Sequence, residues 1–164
     1  MTRVAAGAGP APSPFDLLAH SYDETFTRSA IGLTMRRAVW RHLDRAFEPG
    51  EQVLELGCGT GEDAVHLAAR GVKVLATDAS PAMVDAARRK VTELRLSRRV
   101  RVKPLRIEEL GSLRASPVFD GAFSNFGAMN CVPRLAPVAE ALAHRLRPGS
   151  PVLLCFMGRY VPWE

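Results

Sequence analysis

The stretch Val53-Leu54-Glu55-Leu56-Gly57-Cys58-Gly59-Thr60-Gly61-Glu62-Asp63 decides the fold. Four residues of strand character run without a break into a turn holding Gly57, Gly59 and Gly61, and a helical pattern opens at Glu62. Glycine accepts left-handed backbone and lets another group approach the main chain closely. A strand, a glycine-rich turn and a helix in that order bring a nucleotide-like ligand to the carboxyl edge of a doubly wound α/β sheet. The spacing is G-x-G-x-G, not the G-x-G-x-x-G of a dinucleotide pyrophosphate site, which argues against a nicotinamide-dependent dehydrogenase. Glu62 and Asp63 follow at once, and carboxylates at a helix start favour the helix dipole while repelling a phosphate placed there. The loop therefore suits a ligand without phosphates, and a cationic one is compatible with its charge.

The flanking sequence repeats the same alternation. Strand patterns cover Gln52 to Leu56, Val72 to Thr77, Val100 to Pro104, Phe119 to Asn125 and Val152 to Met157. Helical patterns cover Glu62 to Arg70, Pro81 to Leu96 and Arg134 to Leu146. Ser80 reads as an N-cap with Pro81 at the first helical position, and Met83, Ala87, Val91 and Leu94 as the buried stripe behind it. Strands separated by helical crossovers predict an α/β class, a doubly wound and mostly parallel sheet with helices on both faces. Upstream, Leu17, Leu18, Phe26, Ile31, Met35, Val39 and Leu43 recur at helical spacings, which predicts two helices broken near Arg28 to Gly32. The expected organisation is a flexible tail over 1–14, a helical lid over 15–48 and a core over 49–164.

Bulk properties bound the rest. The chain has 164 residues, 47% hydrophobic, enough for one substantial core. Its net charge of +5 is scattered apart from Arg88-Arg89-Lys90 and Arg98-Arg99-Val100-Arg101, with no aromatic residues interleaved, so a solvated basic face is expected and no nucleic acid. Cys58, Cys131 and Cys155 have neither zinc spacing nor disulfide density, so no metal is expected and a reducing, cytoplasmic setting is. No stretch approaches transmembrane length, so no membrane span is expected.

Asp78 closes the strand that follows the glycine turn and its helix. A carboxylate at that tip is placed to accept hydrogen bonds from both hydroxyls of an unphosphorylated ribose. Ribose without pyrophosphate points to an adenosine derivative.

With these residues in view, the sequence resembles the class I S-adenosylmethionine-dependent methyltransferases, in particular the small-molecule branch called type 11. The resemblance rests on Val53 through Gly61, on Asp78-Ala79-Ser80 with Met83, on Phe119-Asp120-Gly121-Ala122-Phe123-Ser124 and on Leu146-Arg147-Pro148-Gly149, spanning about residues 50 to 157. It implies S-adenosyl-L-methionine as cofactor, with S-adenosyl-L-homocysteine as product. Gly57, Cys58, Gly59 and Gly61 would surround the methionine end, Asp78 would hold the ribose, Ala79 and Met83 would flank the adenine, and Glu55 would be among the cofactor-binding residues. Tyr22, in Ala19-His20-Ser21-Tyr22-Asp23, would approach the cofactor carboxylate from the lid, and Ser124 and Asn125 would border the site. Where the family commonly carries an acidic residue beside the adenine, this chain has Arg106; Ile107 would pack on the ring and Glu108 accept from its amine.

Methyl transfer from a sulfonium relies on positioning, with a base only if the acceptor starts protonated. No catalytic residue is therefore assigned. Acceptor-side candidates are Ser124 through Asn130 and, from the lid, His20, Tyr22 and Phe26, although Phe26 also suits a core, Asn130 a cap and His20 an exposed helix. The loop lacks the Asn-Pro-Pro-aromatic run associated with base or amide methylation, so a small-molecule acceptor is expected. The family sheet has seven strands, whereas this chain ends at Glu164 after the fifth, so the sequence reads as truncated, with a homodimer as one way to cover the exposed sheet edge. A non-catalytic or truncated cofactor-binding module lacking a complete acceptor pocket is the alternative to an active enzyme.

Overall fold

The computed structural model describes residues 15–113 and 118–158. The expected tail over 1–14 and the last six residues lie outside the described residues. The elements are α1 (Ala30–Ala46), β1 (Gln52–Leu56), α2 (Glu62–Ala69), β2 (Lys73–Asp78), α3 (Pro81–Glu93), β3 (Val100–Pro104), β4 (Gly121–Ser124), α4 (Leu135–Ala143) and β5 (Val152–Leu154). The strands form one sheet in the order β3-β2-β1-β4-β5, every neighbouring pair parallel. The chain runs outward from β1 through β2 to β3, then returns to the other side of β1 for β4 and β5. The crevice at that reversal, outside the carboxyl ends of β1 and β4, is where a doubly wound sheet takes its ligand.

Alternation along β1 explains why both faces are covered. Val53 packs with Leu43, Phe47, Ala64, Leu67, Val74, Ala87 and Phe123 on the face covered by α1, α2 and α3. Leu54 and Leu56 point the other way, into Leu105, Ile107, Leu110, Phe119, Val138 and Leu142 beside α4. Successive strand side chains face opposite sides, so an unbroken apolar run is what a sheet buried on both faces requires.

Ser80 caps α3, its hydroxyl accepting from the Met83 N–H, and Pro81 sits in the first turn. Met83, Ala87 and Val91 are buried, but Leu94 is 53% exposed and outside the predicted stripe. Arg95 takes a left-handed φ of 58°, which ends the helix at Glu93 before Leu94 can turn inward and short of the expected Leu96. Two strands are also shorter than expected. Phe119 forms only an isolated bridge to Leu146 before β4 begins at Gly121, and pairing along β5 stops at Leu154.

The lid departs most from expectation. Its first segment is a run of turns from residue 15 to a π-helical turn, Asp23–Thr27, rather than a regular helix. Leu17, Leu18, Ile31 and Met35 are exposed. The inward face of α1 instead carries Gly32, Arg36 and Leu43, with Val39 and Trp40 packed against the core. The physical reason is that α1 is steered by a buried polar anchor: Arg36, at 4% exposure, is ion-paired to Asp63 at 2.9 Å.

Candidate functional site: a cavity at the sheet edge

The glycine turn leaves β1 with Gly57 at φ 72°, and a Cβ there would lie 2.3 Å from the Ala128 Cβ. Only glycine lets the turn pass that closely beneath the segment after β4. The Cys58 N–H donates to the Thr77 carbonyl at 2.8 Å, which ties the loop to β2. The Gly59 N–H donates to Asp78 Oδ2 and the Ser80 N–H to Oδ1, both at 2.8 Å. Asp78 thus braces the loops after β1 and β2 together. Burial raises its carboxyl above the usual aspartate value, against these backbone donors.

These loops floor a cavity of about 700 Å³, roofed by the lid. Of the residues singled out in the sequence, Tyr22, Glu55, Gly57, Cys58, Gly59, Asp78, Ala79, Met83, Ile107, Glu108 and Asn125 line it. Two do not. Gly61 is the left-handed N-cap of α2, where an added Cβ would come 2.9 Å from that of Ala87. Ser124 is fully buried in the sheet and donates to the Leu56 carbonyl at 2.7 Å, so its hydroxyl is spent on β1. His20 is exposed, Phe26 packs on Tyr22 and Phe126, and the Asn130 side-chain amide exchanges two 3.0 Å hydrogen bonds with the Met157 main chain.

The cavity holds a buried carboxyl and a buried guanidinium, each with an atom that has no hydrogen-bond partner. Glu55, 3% exposed at the end of β1, has no hydrogen-bond partner at Oε2. Burial, reinforced by Asp63 and opposed by Arg36, pushes its carboxyl well above the glutamate range. Arg36 gives Nη1 to Asp63 and Nη2 to Thr27 Oγ1, and its Nε has no partner. Its guanidinium lies 4.5 Å from the centroid of Phe126. An unpartnered buried polar atom costs free energy, of order 1–3 kcal/mol, and a cavity wall is where a ligand can recover it. The Cys58 thiol is also pushed well up by burial, which keeps it protonated and unreactive.

Sequence reasoning missed Arg36, Asp63 and Asp16. Asp63 Oδ1 accepts from Arg36 and Trp40, and Oδ2 from Asn125, so one carboxylate joins the lid, α2 and the end of β4. Asp16 accepts from the Ser80 hydroxyl, pinning the start of the lid to the cap of α3. Asp23 accepts from Thr60 and pairs with Lys90, which also holds Glu62. Burial works to raise the Asp23 carboxyl, but the hydrogen bonds from Lys90 and Thr60 and the charge of Lys90 draw it below the usual value. Arg36 was detectable as a lone cation on the 32, 36, 39, 43 face of a helix. Near Glu108, Arg106 approaches Oε1 at 3.5 Å, so the residue replacing the expected acid also draws on the carboxylate beside it.

A family model described as a methyltransferase domain matches residues 53–149, from β1 to the turn before β5. This chain belongs to that methyltransferase family. Its fold is that of the class I S-adenosylmethionine-dependent members. The demethylmenaquinone methyltransferase of Clavibacter sepedonicus is 32% identical over 151 residues, 90% of this chain and 58% of that protein. That of Beutenbergia cavernae is 34% identical over 143 residues, 83% of this chain and 53% of that protein. The chain thus spans between half and three fifths of the length of these relatives. A methyltransferase from Geobacter sulfurreducens, solved with S-adenosyl-L-homocysteine, superposes with a TM-score of 0.63 at 25% identity, over 87% of this chain and 55% of that one. The [4+2]-cyclase SpnF superposes with a TM-score of 0.69 at 18% identity, over 89% and 61%, and shows the fold alone. Among the described residues, no helix is long and apolar enough to cross a membrane, and no group of ligands could hold a metal ion.

Proposed function

We propose that this methyltransferase binds S-adenosyl-L-methionine in the cavity at the β1–β4 crevice and transfers its methyl group to a small-molecule acceptor. The observation that carries the proposal is the pair of buried groups with unpartnered atoms, Glu55 and Arg36, in one cavity. An amino-acid head, ammonium at one end and carboxylate at the other, satisfies both. Tyr22 adds a hydroxyl on the lid side, and burial raises its pKa, so it stays a neutral donor. Asp78 has accepted one backbone N–H on each oxygen, and a carboxylate offers about four lone-pair sites, so it can still take ribose hydroxyls. Ala79, Met83 and Ile107 supply an apolar slot for a purine, with Glu108 at its edge.

The bound cofactor supplies an activated methyl group on a sulfonium whose departure leaves a neutral thioether. The chain's own contribution is to fix that group and exclude water. The turn from Gly57 to Gly59 and the Asp78 brace hold the floor, while the Asp16, Asp23 and Arg36 contacts hold the roof. A demethylmenaquinone-like acceptor is the finer reading favoured by the named relatives. A second copy pairing along the β5 edge, where Val152, Leu154, Phe156 and Met157 are exposed, and a cytoplasmic setting belong to the same proposal.

Calorimetric titration with S-adenosylhomocysteine tests it. The wild-type chain should bind saturably, and Asp78→Ala should weaken binding about a hundredfold through loss of charge-assisted hydrogen bonds. A folded wild-type chain that takes up no S-adenosylhomocysteine would refute the proposal.

A further inference from the structure

Phe126 follows β4 with φ 53°, a left-handed conformation that bulky residues avoid, and Gly127 continues it at φ 78°. Backbone held in such a region by its surroundings marks positions where the placement of a side chain matters. The surroundings here are specific. The Phe126 ring meets Phe26 edge-on, with centroids 5.5 Å apart at 79°, and the Arg36 guanidinium lies 4.5 Å from its centroid. Behind it, the two hydrogen bonds between Asn130 and the Met157 main chain fix the segment that Gly127 packs against. Phe126 still lines the cavity and is not fully buried.

The ionisable groups of the cavity are unevenly spread. The carboxylates and guanidinium groups come from the lid, β1, β2, α2 and the loop after β3. After β4 the wall is Asn125, whose amide nitrogen is committed to Asp63, then Phe126, Gly127, Ala128, Cys131 and Val132. That stretch offers no carboxylate, amine or imidazole to a second ligand. It offers a ring, small apolar groups and the Cys131 thiol.

Resting on the reading of this cavity as a methyltransferase site, we propose that Phe126 is the specificity-determining platform for the methyl acceptor, which is an uncharged molecule presenting a planar aromatic ring. An aromatic ring gains from offset or edge contacts with Phe126 beyond what its buried area supplies, and a saturated ring of the same size does not. Arg36, held on Phe126 by Asp63, keeps the platform from swinging away.

The test uses two neutral probes, 2-naphthol and decahydro-2-naphthol, titrated into the full chain saturated with S-adenosylhomocysteine. The wild type should favour 2-naphthol by about tenfold. Phe126→Leu should bring that preference to within about threefold, and Phe126→Tyr should keep it. The circular dichroism spectrum and melting curve of each variant, measured on the same sample, certify the fold. Equal binding of the probes by the wild type, or a preference that survives Phe126→Leu, overturns the inference. So does loss of S-adenosylhomocysteine binding in Phe126→Leu, which would place Phe126 on the cofactor side. A wild type that binds no S-adenosylhomocysteine fails at the earlier step and removes the cofactor reading itself.

Discussion

On the floor of the cavity, Gly57, Gly59 and Asp78 are placed by backbone: a ladder from Thr77 to Cys58, and two main-chain donors on one carboxylate. On the roof, Asp16, Asp23 and Arg36 are placed by side chains that reach Ser80, Thr60 and Asp63, partners 64, 37 and 27 residues away. The floor inherits its geometry from a parallel sheet buried on both faces. The roof exists only while a few buried polar contacts hold. Stability in the floor should therefore follow apolar volume, and stability in the roof should follow hydrogen-bond and charge pairing.

Asp63→Ala should show the largest effect. It leaves the Arg36 guanidinium buried without its carboxylate, a loss of about 3–5 kcal/mol, readable in the denaturation midpoint. Replacing both partners, as Arg36→Met with Asp63→Leu, should recover only part of that loss, because the Trp40 and Asn125 donors then lose their acceptor. On the floor, Leu54→Ala in a fully buried site should cost about 2–5 kcal/mol through lost transfer energy and cavity. Its effect should persist in high salt, which weakens only the roof's half-exposed pairs.

Glu55 links the two regions, because its unpartnered carboxyl lies between floor and roof. Its folded pKa is raised, so between the ordinary glutamate value and the folded one the native state holds a proton that the unfolded chain has lost. Stability of the ligand-free protein should fall as pH rises through that window. Glu55→Gln should flatten the dependence and raise the melting temperature at pH 8, while weakening S-adenosylhomocysteine binding by about tenfold or more. Melting curves at pH 5 and pH 8 check the first, calorimetry the second. Asp23→Asn is a smaller change, about 1 kcal/mol, since the pair with Lys90 is partly solvated. Its effect should vanish as pH falls through the lowered Asp23 pKa, where the wild-type carboxyl is itself protonated.

The same contrast governs what could be read in advance. The segment from Val53 to Pro81 was legible because its determinants are local: apolar strands, glycines at a turn, a Ser-Pro helix start. The parallel, helix-covered character of the sheet followed from the alternation of strand and helix. The lid was not legible, because Arg36 and Asp63 are residue types that belong on surfaces unless paired, and nothing in their spacing announces the partner. Apolar periodicity registered Ile31 and Met35 as a helical pattern, but it is Arg36 that faces the interior. Ser124 was misplaced for a related reason: a hydroxyl at a strand end suits a ligand as well as a neighbouring carbonyl, and here Leu56 takes it.

The claim that Glu55 and Arg36 together receive an amino-acid head is open to one direct measurement. The wild-type chain is titrated with S-adenosylhomocysteine and with 5′-methylthioadenosine, which keeps the adenosine and thioether but lacks the ammonium and carboxylate. S-adenosylhomocysteine should bind at least about a hundredfold more tightly, the worth of two charge-assisted contacts. Equal affinity for the two would contradict the account, since it would leave both buried groups without a role in binding.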